Sequence, residues 1–352
     1  MKKTFTTSIL LAVLSFTALT ASAKSWRINN DATKKADFAD LNAAMSSTDV
    51  EAGDTLYLDP GCNISGDQTV TKRVTIVGSG YFRTDTPHRF SYITGKLYLK
   101  AQYIKVEGVI MTTITHLCAN YITLERCKTN TIYINENWTT AAAQFAIIRQ
   151  CYVVNIKGGS SATSSSDNER LKTAFATIEN CILRINNNHT IESLYSPTIR
   201  NCYISYTGTS TSSYLFENLD NATITNNIMI NKSDKTHIFS RVTNSTVSHN
   251  VMSCAESTYA GYAASNQFLD SNDESLVFKM EGTNDQLYQL KDDSPAKNYG
   301  LDGTDCGPFG GLYPYVLNGQ PAGYPYYTKA NIATRAKDGK INVSLNIKMQ
   351  NE

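Results

Sequence analysis

The chain alternates apolar and polar positions in short runs, and one run keeps returning. An aliphatic residue, two mostly polar residues and then Val, Cys or Asn recur as Val106-Glu-Gly-Val109, Leu124-Glu-Arg-Cys127, Ile148-Arg-Gln-Cys151, Ile178-Glu-Asn-Cys181, Ile199-Arg-Asn-Cys202, Ile224-Thr-Asn-Asn227 and Val247-Ser-His-Asn250. The fourth position advances by 18, 24, 30, 21, 25 and 23 residues, a mean of 23.5. The runs are short, rich in β-branched residues and of period two, which predicts strands and not helices. Helical repeats need about 33 to 47 residues per unit and do not fit. A unit of 18 to 30 residues holding three short strands is one coil of a parallel β-helix, stacked about 4.8 Å from the next. Each sequence column then becomes a row of side chains along the axis.

The columns carry expectations. Ile148, Ile178, Ile199 and Ile224 should form an inward aliphatic row. Asn180, Asn201 and Asn226 fall two residues later, where the chain must bend, and His249 shares that column. Asn tolerates the left-handed conformation and can bond its neighbour's amide in a stacked ladder. A further strand per coil is expected at Gly95–Leu99, Thr112–Leu117, Thr131–Asn135, Tyr214–Leu219 and His237–Val242, and the polar stretch from Lys157 to Lys172 reads as a loop at one corner. Asp37 to Met45 has the apolar spacing of a short helix that closes the first coil. Ser294 to Gly311 reads as the cap at the other end, followed by a Tyr- and Pro-rich crossing. Last comes a hairpin, Thr328–Thr334 and Ile341–Met349, with a turn at Lys337-Asp338-Gly339. Ile341, Val343, Leu345 and Ile347 give it one apolar face, which packing on the β-helix or pairing with a second chain would cover.

The N-terminus changes the picture of where this chain works. Lys2 and Lys3, an apolar run from Ile9 to Leu19 and Ala21-Ser22-Ala23 fit an export signal over residues 1–23. The run is too short to be a transmembrane segment. The mature chain is expected to start at Lys24 and to be exported to the periplasm, cell surface or extracellular space. Lys and Arg total 32 against 31 Asp and Glu, so there is no electrostatic footprint for nucleic acid. Of the eight Cys, Cys127, Cys151, Cys181 and Cys202 share one column. Copies about 4.8 Å apart and parallel suit a buried stack of free thiols better than disulfides.

The export signal, the segment Gly53-Asp-Thr-Leu-Tyr-Leu-Asp-Pro-Gly61, the Ile-x-Asn-Cys coils and the ending Ser294-Pro-Ala296, Gly300 to Gly307 and Phe309-Gly-Gly311 resemble secreted right-handed parallel β-helix proteins. These form the pectin-lyase-like superfamily and are common in gut Bacteroidetes. The resemblance spans nearly all of residues 26–320. It implies an all-β fold, a single-stranded right-handed parallel β-helix (a solenoid) over residues 24–312, with an N-terminal cap helix. Residues 313–352 form the crossing and the C-terminal β-hairpin. About eight to ten coils are expected at this repeat length.

The resemblance is less specific about chemistry, because the superfamily holds lyases, hydrolases, esterases and adhesins. Its lyases use acidic clusters for Ca²⁺ with Arg or Lys as base, and its glycosidases use paired Asp. Neither the Asn-Thr-Asp, Asp-Asp and Gly-His-Gly signatures of polygalacturonases nor the Arg-x-Pro-x-x-Arg of pectate lyases occurs in the coils. Asp292-Asp293 lies in the expected cap. Glu107, Glu125 and Glu179 share a column with Arg149 and Arg200 and read as a solvated mixed-charge face. Asp270, Asp273 and Glu274 could bind Ca²⁺ in a loop, although turns rich in Asp, Asn and Ser look the same; no cofactor is expected, with Ca²⁺ called for only if the chain is a lyase. The best candidate for a glycan-binding face combines Lys96, Tyr98, Lys100, Tyr133 and Asn135 on the strand after the bend with the charged loop carrying Arg83, His88 and Arg89. Aromatic rings and amides suit sugars, and Lys suits uronate carboxylates. An ordinary polar outer wall is the competing reading. Three functions follow: an exported protein that binds glycan or a partner without a recognisable catalytic signature, a polysaccharide lyase or glycoside hydrolase acting on acidic glycans, or a structural or adhesive surface protein assembled through its hairpin.

Overall fold

A computed structural model of the chain describes residues 23–82, 90–134, 143–158, 175–186, 190–321, 325–332, 335 and 339–349. The expected export signal apart from Ala23, residues Arg83, His88, Arg89 and Asn135, the stretch after Gly158 and the expected turn residues Lys337 and Asp338 therefore lie outside the described residues.

The coil-forming strands are all parallel. Ten short strands, from Ser25–Ile28 through Thr177–Glu179 to Thr246–Ser248, stack in chain order as one sheet and form the first wall. Fifteen more form a second sheet that folds into two further walls. The second wall follows the first corner and includes Ile182–Ile185, Tyr203–Tyr206 and Ile228–Asn231. The third wall includes Leu97–Leu99, Ile191–Tyr195, Phe216–Asp220 and Phe239–Thr243. In the middle coils Ile110–Leu117, Lys128–Tyr133 and Tyr152–Lys157 serve both walls as single strands. This is an all-β parallel β-helix. Its registers align the sequence columns directly: Leu124 on Ile148, Ile148 on Ile178, Ile178 on Ile199 and Ile199 on Ile224. All five side chains are fully buried.

In the seven coils from Lys105–Glu107 onward the first corner turns on one left-handed residue: Gly108, Arg126, Gln150, Asn180, Asn201, Asn226 and His249, with φ between 50° and 65°. The bend lies where the sequence placed it, but the ladder lies one residue later. The backbone N–H of Cys127 donates to Cys151 Sγ at 3.4 Å, Cys151 to Cys181 at 3.5 Å and Cys181 to Cys202 at 3.5 Å. The same row continues with amide oxygens: Cys202 N–H to Asn227, Asn227 to Asn250 and Asn250 to Asn266, at 2.9–3.0 Å. A left-handed residue turns its own side chain outward, so the inward acceptor belongs to its successor. All eight cysteines are free, and all but Cys118 are buried. Burial pushes the thiols of Cys127, Cys151 and Cys181 well above their ordinary range, which keeps them neutral donors to backbone carbonyls.

The N-terminal cap is a single helical turn and a half, Leu41–Ser46. It starts later than Asp37 because Asp40 caps it, accepting the Ala43 N–H at 2.7 Å, while Gln68 accepts from Leu41 at 3.1 Å. At the other end the irregular helical segment Glu256–Ser265 covers the last coil. Its Tyr259 hydroxyl accepts from the N–H groups of Ile238 and Phe239 and donates to Thr236 O.

Ser294 to Gly311 is therefore not the end cap. It begins a strap that runs back along the first corner, from late coils to early ones. The strap lies where left-handed residues present outward amides. Asn226 accepts from Leu301 N–H at 2.9 Å, and Asn201 donates to Asp305 O at 3.2 Å. Asn180 donates to Pro308 O and Gly310 O at 2.9 and 2.7 Å, Gln150 to Tyr313 O and Pro314 O at 3.3 and 2.6 Å, and Arg126 to Gln320 O at 3.5 Å. At Gly108 a Cβ would sit 2.5 Å from Pro321 Cγ, so this corner needs glycine for space as well as for its positive φ. Beneath the strap a second apolar cluster, with Ile182, Tyr203 and Ile228 facing Phe278, Tyr288 and Tyr315, seals the outside of the second wall.

The strap also corrects the expected solvated charge column. Glu107 and Glu179 are buried. Glu179 lies between Arg149 and Arg200 at 2.6 Å each, and Lys105 bridges Glu107 and Glu125 at 2.9 and 2.8 Å. Arg149 in turn stacks 3.7 Å over the Tyr313 ring of the strap. The hairpin is Pro325–Ile332 paired antiparallel with Val343–Met349. Ile341, Val343, Leu345 and Ile347 are 41–57% exposed.

These burials predict a thiol titration. About one thiol per native chain, Cys118, reacts promptly with a disulfide reagent, and all eight react in denaturant. Fewer than eight after denaturation without reductant would mean that disulfides replace the free stack.

Candidate functional site

Of the three outer walls, the second is closed by the strap, and the first carries ion pairs under its edge. The third wall holds the four described glycan-face candidates, Lys96, Tyr98, Lys100 and Tyr133. Its registers align one outward column across successive coils: Thr69, Tyr98, His116, Tyr133, Lys157, Glu192, Glu217 and Ser240. Alternation along each strand turns these residues outward while Leu97, Leu99, Leu117 and Ile132 are buried.

The first part of the column is an aromatic stack. Tyr98 and His116 lie 4.6 Å apart with planes 4° from parallel, and His116 and Tyr133 lie 5.4 Å apart at 15°. Lys100 places its ammonium 5.7 Å from the Tyr98 ring. Lys96 is exposed and sits just before the strand, where its backbone N–H donates to Asp67 at 2.8 Å. The structure thus brings Tyr98 and Tyr133 together through His116 and leaves Lys96 and Lys100 at the margin. Arg83, His88, Arg89 and Asn135 lie outside the described residues.

Where the aromatic stack ends, a cleft of about 480 Å³ opens. It is lined by Asn130, Thr131, Tyr133, Val154, Asn155, Lys157 and Asn186. Thr131 donates its hydroxyl to Asn155 Oδ1 at 2.7 Å, which fixes one wall. Lys157 forms an ion pair with Glu192, and Arg241 pairs with Glu217 at 2.6 Å. The lining combines an aromatic ring, three carboxamides, a hydroxyl and an ammonium. Such a set donates to and accepts from a polyhydroxylated ligand, and the ring offers apolar surface to C–H faces. Sequence reasoning missed Asn130, Asn155, Lys157, Asn186 and Glu192. One signal was available: Thr131 and Tyr133 stand 24 residues before Asn155 and Lys157, the same step that separates Cys127 from Cys151.

A second aromatic row was also missed. Tyr103, Tyr121, Phe145 and Phe175 stack at 4.9, 5.1 and 5.2 Å at the corner that leads into the first wall. All four have φ near 60°, a conformation that costs bulky L-residues about 1–2 kcal/mol each. Ring stacking offsets roughly 0.5–1.5 kcal/mol per pair. Their inner faces cover one another, and all four rings remain 38–55% exposed.

The candidate Ca²⁺ ligands serve other purposes. Glu274 is buried and binds Arg184, Lys232 at 2.9 Å and the Tyr203 hydroxyl. Asp270 pairs with Lys235 at 2.8 Å, and Asp273 caps the turn at Ser275. Glu274 is thus already neutralised by two cations, and Asp273 is turned toward a backbone amide. Among the described residues no group of three or more His, Cys, Asp or Glu is arranged as metal ligands. The set does not fit a Ca²⁺ ion. Asp292 and Asp293 are exposed beside Lys279, Lys291 and Lys297. No described helix is long and apolar enough to cross a membrane.

No family model and no curated protein matches this sequence. Among solved structures, the chain is similar to pectate lyase Pel9A at 13% identity, covering 82% of this chain and 96% of that one, with a TM-score of 0.43. It is also similar to a GH136 lacto-N-biosidase from Eubacterium ramulus at 11% identity, with a TM-score of 0.40. That match covers 65% of this chain and spans only 56% of the lacto-N-biosidase. The β-helix assignment itself rests on the registers of the two sheets.

The strap network holds one buried acid with a raised pKa. Asp285 accepts from Asn318 N–H at 2.7 Å and Tyr315 OH at 3.2 Å, while its Oδ1 has no partner among the described residues. Burial raises its carboxyl above the ordinary range. A group raised in the folded state contributes its full stability below the unfolded pKa of about 3.9 and loses it as pH rises through the folded value. Asp285→Asn is therefore expected to be nearly neutral at pH 4 and stabilising at pH 8, read as denaturant midpoints. An equal effect at both pH values would contradict the assignment.

Proposed function

We propose that this chain is an exported β-helix protein that binds glycan on its third wall, in the cleft beyond Tyr133. The observation that carries this reading is the cleft itself, where an aromatic stack gives way to carboxamides, a hydroxyl and an ion-paired ammonium. Export is supported by the Lys2–Ala23 pattern. The test is calorimetric titration of the mature chain with uncharged and uronate polysaccharides, with and without Ca²⁺. Release of unsaturated uronates and of reducing ends is followed in parallel. Binding without turnover is expected. Tyr133→Ala should weaken it about tenfold or more, while Tyr103→Ala at the far corner should leave it unchanged. Turnover on any substrate would replace the binding role with a lyase or hydrolase. Retention unaffected by Tyr133→Ala would move the site elsewhere.

A second role attaches to the hairpin, whose Val343, Leu345 and Ile347 are exposed although a two-stranded sheet is marginal alone in water. Self-association would cover this row. The expected mass in solution is that of a dimer, reverting to a monomer in Leu345→Asp. A strict monomer for the unaltered chain would remove the adhesive reading.

A further inference from the structure

The third-wall column has a charge pattern that constrains what its cleft accepts. Lys157 is the one cation among the described lining residues, and the fold has already matched it. Its register partner on the next coil is Glu192. The two side chains form an ion pair and are only 17% and 14% exposed. The register then sets Glu217 beside Glu192, and Arg241 pairs with Glu217 at 2.6 Å. The row Lys157, Glu192, Glu217, Arg241 thus carries two positive and two negative charges on adjacent coils. The remaining polar lining, Asn130, Thr131, Asn155 and Asn186, is uncharged.

We infer that this cleft selects uncharged glycans and rejects uronates, and that Glu192 is the residue that sets the preference. The inference rests on the glycan-binding reading above and names the substrate class of that site. A ligand carboxylate in the cleft would have to share the Lys157 ammonium with Glu192, which sets two carboxylates against one cation at a largely buried pair. Like charges brought together at a dehydrated interface disfavour the wrong ligand strongly. Sugar hydroxyls need no such sharing, because amide and hydroxyl groups bond them directly. Tyr133 adds apolar surface that is indifferent to charge. This departs from the acidic glycans implied by the sequence resemblance.

The test uses the full mature chain and two sets of probes of matched length: gluco-, manno- and galacto-oligosaccharides on one side and oligogalacturonate on the other. The unaltered protein is expected to bind at least one uncharged probe at least about tenfold more tightly than oligogalacturonate. That affinity should change little as salt rises from low ionic strength to about 1 M, where exposed charges are screened. In Glu192→Gln, Lys157 is released from its partner, and affinity for oligogalacturonate should rise about tenfold at low salt and fall again at high salt. A thermal melt confirms that the variant is folded. Should it not fold, the salt series on the unaltered protein decides alone. Salt-sensitive preference of the unaltered protein for oligogalacturonate would overturn the inference while leaving glycan binding in place. Absence of binding by every probe would overturn both.

Discussion

From Gly108 to His249 each coil turns its first corner on one left-handed residue, and much of the structure depends on that turn. Because the residue at the turn faces outward, the next one faces inward, and in the later coils its side chain accepts a backbone N–H from the coil before it. Cys151, Cys181 and Cys202 do this with sulfur, and Asn227, Asn250 and Asn266 do it with amide oxygen. The change of element along the row keeps the pattern, since both groups accept the backbone N–H of the coil before and donate to a backbone carbonyl. With the corner fixed, the aliphatic row of the first wall can repeat, and the second and third walls inherit their register from it.

The same turn creates the surface on which the strap lies. Outward side chains at a left-handed corner are long or amide-bearing in five successive coils, Arg126, Gln150, Asn180, Asn201 and Asn226. Each one bonds a backbone group of the strap. The strap then closes the second wall with an apolar layer and buries Glu107 and Glu179 at its margin. The third wall stays outside this arrangement, which is why its outward column can carry residues chosen for something other than packing.

Legibility in the sequence followed repetition. The coils, their columns and the bend were readable because stacking forces the same residue type to return at each coil. The ladder was placed one residue early because Asn suits both a left-handed bend and an amide ladder, and Asn180, Asn201 and Asn226 gave no sign of which they did. The strap occurs once, so no period revealed it, and its Gly and Pro residues read as an ending. Glu256–Ser265 has no apolar stripe and gave no signal of a cap. On the third wall Tyr98 and Tyr133 were readable as aromatic and outward. Asn130, Asn155 and Lys157 were not, because outward residues in adjacent coils need not resemble one another, and Lys157 reads as the first residue of a polar loop.

The central functional claim is that the cleft beyond Tyr133 holds a sugar. A crystal of the mature protein soaked with an uncharged oligosaccharide that binds in solution tests it most directly. The account predicts density for a sugar ring against Tyr133, with its hydroxyls within hydrogen-bond reach of Asn130, Asn155 or Asn186 and the Lys157–Glu192 pair intact. A sugar bound instead along the first wall or at the Tyr103–Phe175 corner, with this cleft empty, would contradict it.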